Sequence, residues 1–80
     1  MNTIWKYTIT GNGTHRIPKG AKVIHVGNQN GYICIWCEVD TGVKVFEKRD
    51  FKIFGTGRKV EGKHCGTVIM GDYVWHVYEV

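Results

Sequence analysis

Apolar and polar residues alternate with a period of two through most of the chain, the spacing of strands with two unlike faces. In Ile4–Ile9, Trp5, Tyr7 and Ile9 share one side, and Ile4, Lys6 and Thr8 share the other. This predicts a half-buried strand that ends in the turn-rich Thr10-Gly11-Asn12-Gly13. His15-Arg16-Ile17 is a short extended piece, and Pro18-Lys19-Gly20 a tight turn. Lys22–Gln29 and Tyr32–Asp40 flank Asn30-Gly31, a strong type I′ hairpin signal. In the second of these strands Ile33, Ile35, Cys37 and Val39 alternate with Tyr32, Cys34, Trp36 and Glu38. Both sets are largely apolar, which predicts a central strand covered on both faces. After Thr41-Gly42 comes a long strand candidate, Val43–Phe54, with a bulge or turn expected at Lys48-Arg49-Asp50. Gly55-Thr56-Gly57 ends it, and Arg58–Lys63 is a polar loop. His64–Met70 and Tyr73–Val80 form a last hairpin through Gly71-Asp72, with Tyr73, Trp75, Val77 and Glu79 on one face.

No window carries the helical period. The expected fold is all-β: one domain over residues 1–80, a small antiparallel barrel or sandwich of about six strands with little or no helix. Composition agrees. There is no Leu and no Ser, one Ala, and 25 β-branched residues beside ten aromatics. A domain of this size buries only about 60–65% of its chain surface, so it calls for a staple. Three cysteines cannot all pair with one another. Self-association is therefore the expected staple, one apolar sheet face serving as the interface. Met1–Thr10 lacks the apolar run of a signal peptide, and no segment has the length of a membrane span. A reducing cytosolic compartment and no membrane partner are expected.

Charge changes the picture along the chain rather than in total. The net formal charge of +4 divides into +2 over residues 1–43, +4 over 44–64 and −2 over 65–80. The basic middle is either a solubilising face or a footprint for an anion, a nucleotide or nucleic acid.

The reactive residue types narrow the chemistry. Cys34-Ile35-Trp36-Cys37 has metal-knuckle spacing, but mid-strand it sends its two thiols to opposite faces. His64 and the adjacent Cys65 also fall on opposite strand faces, so His64 is a poor activator for that thiol. Without Ser, serine nucleophile schemes are excluded. His25 and His76 read as hydrogen-bonded strand residues. No catalytic residue, metal or cofactor is expected. Gly55-Thr56-Gly57 followed by Arg58 and Lys59 is either a strand-end turn or an anion nest, its backbone N–H groups and two cations meeting a phosphate. Trp36, Trp75 and His76 complete the candidate ligand-binding set, stacking a base.

Ile4-Trp5-Lys6-Tyr7, Ile17-Pro18-Lys19-Gly20-Ala21, Asn30-Gly31 through Cys34-Ile35-Trp36, Phe54-Gly55-Thr56-Gly57, and Gly66-Thr67-Val68 to Val74-Trp75-His76-Val77 occur in this order across nearly the whole chain. Together they resemble a family of short proteins from tailed bacteriophages and prophages, a domain of unknown function. The resemblance implies a viral accessory protein in the cytoplasm of the bacterial host and carries over no site residue. Such proteins often oppose host defences, which makes the expected function sequestration of an anionic nucleotide signal at a subunit interface. The alternatives are a small β-barrel binding single-stranded nucleic acid and a protein-binding inhibitor of a host defence factor.

Overall fold

A computed structural model describes residues 1–10 and 13–80. Its strands are β1 (Asn2–Thr8), β2 (Thr14–Pro18), β3 (Lys22–Gln29), β4 (Tyr32–Asp40), β5 (Phe46–Gly55), β6 (Lys63–Met70) and β7 (Tyr73–Glu79). They form two antiparallel sheets, ordered β1-β4-β3 and β2-β5-β7-β6, with no helix among the described residues. No ladder joins the two sheets into a closed barrel, so the all-β domain is a sandwich. The seventh strand is β2, the short extended piece, which pairs with β5 from Thr14↔Asp50 to Pro18↔Phe46. Of the first predicted turn, Gly11 and Asn12 lie outside the described residues. Among the described residues no helix is long and apolar enough to cross a membrane.

The hairpin of β3 and β4 turns where its sequence says it should. Asn30 and Gly31 both have positive φ (55° and 84°), as a type I′ turn demands. The Asn28 side chain accepts a hydrogen bond from the Gly31 amide at 2.9 Å. Inward-facing Ile33, Ile35, Cys37 and Val39 of β4 are buried against Ile17, Phe51 and Val77 of the other sheet, and this cluster is the core.

Two expectations are corrected. The chain does not break at Lys48-Arg49-Asp50; β5 runs unbroken from Phe46 to Gly55. The charges mark a change of partner instead. Residues up to Asp50 pair with β2, and from Phe51 onward they pair with β7 on the opposite edge. Asp50 is satisfied there by the Thr14 hydroxyl, which donates to it at 2.6 Å. The second correction concerns β4, which is central but covered by the second sheet on one face only. On its outer face Tyr32 and Glu38 are exposed and Trp36 is half-buried. The inner face alone meets another layer, because each sheet of a two-layer sandwich has one partner.

Cys34 and Cys37 lie on opposite faces of β4, Cys34 beside the Thr8 hydroxyl and Cys37 in the core. Burial pushes the Cys37 thiol up to about 11 and raises that of Cys65 as well. A thiol reagent at pH 8 is therefore expected to modify at most Cys65 in the native protein and all three cysteines in denaturant. Two or more rapidly labelled thiols per native chain would contradict this packing.

Candidate functional site

The glycine turn closes at the end of β5. The Arg58 amide donates to the Gly55 carbonyl at 3.2 Å, and Gly57 has φ +89°. Positive φ at the third residue is the mark of a type II turn. The turn thus uses the Arg58 amide internally, so any phosphate contact from Arg58 comes through its guanidinium. Across the ladder Gly55 pairs with Trp75 of β7. Because Gly55 has no side chain, the indole lies over it: a Cβ there would sit 3.4 Å from Trp75 Cζ3. Two residues earlier on the same face, Tyr73 stacks on Trp75 with centroids 5.8 Å apart and planes 18° from parallel. Gly55, Thr56, Arg58, Asp72, Tyr73 and Trp75 line an open cleft of about 410 Å³.

A chain of hydrogen bonds braces this turn from the sheet's outer face. Thr56 Oγ1 lies 3.5 Å from the Val74 carbonyl oxygen and 2.9 Å from His76 Nε2. Thr67 Oγ1 lies 2.9 Å from His76 Nδ1 and 3.0 Å from His64 Nε2. If Thr56 donates to Val74, one direction satisfies every member. His64 Nε2–H then donates to Thr67, Thr67 to His76 Nδ1, and His76 Nε2–H to Thr56. His76 is thereby a strut that ties the glycine turn to β7 and β6.

Of the eight predicted site residues, Gly55, Thr56, Arg58 and Trp75 come together in the cleft, with Gly57 in the same turn and His76 behind it. Lys59 is exposed and is not part of the lining. Trp36 is elsewhere, on the outer face of the other sheet beside His25, 5.4 Å between ring centroids. Asp72 and Tyr73 were missed. The signal for Tyr73 was its spacing of two from Trp75, which puts both on one strand face.

A second polar centre lies at the other end of β5 and β7. Arg49 faces inward, donating from Nε and Nη2 to the two Glu79 oxygens at 2.7 Å each and from Nη1 to the Ala21 carbonyl at 2.6 Å. The hydrogen bonds it donates to Glu79 raise the Arg49 pKa further, against desolvation. His64 and Cys65 fall on opposite faces of β6, as alternation predicts. The β6–β7 register shifts between His64 and Gly66, yet the two side chains keep opposite faces, His64 with Thr67 and Tyr78 outside and Cys65 packed against the core, and both border one cleft at the sheet edge. Among the described residues no three His, Cys, Asp or Glu side chains gather as metal ligands would.

The domain of unknown function (DUF7352) matches residues 1–80. No curated protein and no solved structure matches the chain.

Proposed function

Because the chain belongs to the family of this domain of unknown function (DUF7352), we propose its role from its own geometry: a non-catalytic binding protein that captures an anionic nucleotide in the cleft between the Gly55–Arg58 turn and β7. The observation that carries this reading is the stacked Tyr73–Trp75 pair at the mouth of a cleft that also holds Arg58. Tyr73 is 66% exposed, so a base lies against its free face as a third ring in the stack. Arg58 meets the phosphate as a planar fork of donors. Asp72 repels phosphate and accepts hydrogen bonds from a base or sugar, which orients the ligand with its phosphate toward Arg58. The thiols favour binding over chemistry, since a nucleophilic cysteine needs a depressed pKa and those of Cys37 and Cys65 are raised.

The resemblance to short phage proteins extends the proposal to an accessory role in a bacterial cytoplasm, holding back a nucleotide signal of host defence. Exposed Tyr73 at the cleft suits a seam between two copies of the chain.

Calorimetric titration with a panel of linear and cyclic nucleotides tests the reading. At least one is expected to bind, with Trp75 fluorescence quenched in parallel. Tyr73→Ala, at an exposed position where folding has little at stake, is expected to weaken binding at least about fivefold, because base stacking contributes about 1–3 kcal/mol. No heat with any member of the panel removes the proposal. Affinity for single strands alone, falling steeply with salt, transfers the function to nucleic-acid binding.

A further inference from the structure

Three departures from a regular sandwich meet in one place. The β3–β4 register shifts between Val23 and His25, and the β6–β7 register shifts between His64 and Gly66. These are the two register breaks among the described residues. Bulges re-aim side chains and concentrate beside functional sites. The third departure is Arg49, a cation at an inward position of β5 whose neighbours on that face, Phe51 and Ile53, join the core. All three border a cleft of about 310 Å³ where the edges of the two sheets part, lined among others by Ala21, Lys22, Arg49, Lys63, His64 and Glu79. It shares no lining residue with the Tyr73–Trp75 cleft. Arg49 is six residues from Gly55, about 20 Å along β5.

The electrostatics of this cleft are unbalanced. Lys22 opens β3 and Lys63 opens β6, and neither makes an ion pair among the described residues. With Arg49 they set three cations against the single carboxylate of Glu79. Gathering like charges destabilises a fold, and an inward ion pair is a weak stabiliser by itself. The arrangement does prepare a donor. Arg49 has five N–H groups, of which three are engaged by Glu79 and Ala21, and its side chain is held rigid at 14% exposure. Places where a sequence breaks several local rules at once are where function is to be sought.

We propose that this cleft is an anion site that takes a tetrahedral oxyanion of phosphate size, as the free ion or as a phosphate monoester. Lys22 and Lys63 close on the anion from the two lips, Arg49 donates from the floor, and Glu79 is the positioning residue that aims Arg49. Binding pulls the lips of the two sheets together, so an occupied site also stabilises the fold.

Amide NMR during titration with sodium phosphate, at ionic strength held constant with sodium chloride, tests the site. Saturable shifts are expected at residues 20–23 and 63–65 and at the Arg49 side chain. A parallel titration with a nucleoside monophosphate separates the sources. Saturation at the same residues assigns a monoester, and its absence with phosphate still bound assigns the free ion. Lys22→Glu with Lys63→Glu, both at exposed positions, is expected to weaken phosphate at least tenfold. Tyr73→Ala is expected to leave it unchanged, so this site and the nucleotide cleft fail or stand separately. Shifts that grow without saturating, or that survive the double charge reversal, overturn the proposal.

Discussion

Glu79→Leu is expected to destabilise the domain by about 3 kcal/mol, and adding Arg49→Met is expected to recover most of that loss. The single change strands the Arg49 guanidinium among inward-facing groups with two of its donors freed, and an uncompensated buried charge costs about 3–5 kcal/mol. The lower end applies because the pair lies beside an open cleft, with side chains 14% and 25% exposed, so water partly hydrates the orphaned cation. The loss is severe for a domain of this length, whose total stability is about 4–12 kcal/mol. Removing both charges removes the desolvation penalty with them, and apolar pairs of similar volume often equal or exceed a buried ion pair. Urea midpoints for the wild type, both single variants and the double variant close the cycle. A double variant no more stable than Glu79→Leu alone would show that the pair is not a coupled unit. The double variant also separates folding from function, since it is expected to fold and to lose phosphate binding in the β3–β6 cleft.

This pair shows what kind of information the sequence lacked. Strands, hairpins and the inward set of β4 follow from period-two alternation and turn residues, which are local. Three charged residues in a row at Lys48-Arg49-Asp50 predict, locally, a break in the strand. The structure keeps the strand and satisfies the charge with Glu79, thirty residues away, a partner that no window around residue 49 contains. The same reason separates the site residues. Gly55, Thr56 and Arg58 are neighbours in sequence and remained together, whereas Trp36 and Trp75 belong to different sheets. Their joint placement rested on residue type alone. His64 and Cys65 were legible locally: they keep the opposite faces that alternation assigns them, because the bulge in β6 begins only after His64.

Gly66 follows that bulge, and Gly66→Ala is expected to destabilise the domain by about 3 kcal/mol, the upper end of the usual overpacking range. β3 and β6 are the facing edges of the two sheets, with no ladder between them, and they approach at Gly66 and Val26. A Cβ on Gly66 would lie 2.7 Å from both Cβ and Cγ2 of Val26. The Val26 Cβ is fixed to the backbone and cannot turn aside as the end of a long side chain would, so relief requires the two sheets to separate. Separation opens the core beneath, where Val26 and Val68 are both buried. Val26→Gly tests the cause. Alone it is destabilising, through lost burial and a freer unfolded chain. Combined with Gly66→Ala it vacates the space the new methyl needs, so the double variant is expected to be at least about 1 kcal/mol more stable than the sum of the singles. Additive losses would place the cost of Gly66→Ala in the β6 backbone instead. A favourable coupling would locate it in the contact between the sheets, the same contact that sets the width of the cleft between Lys22 and Lys63.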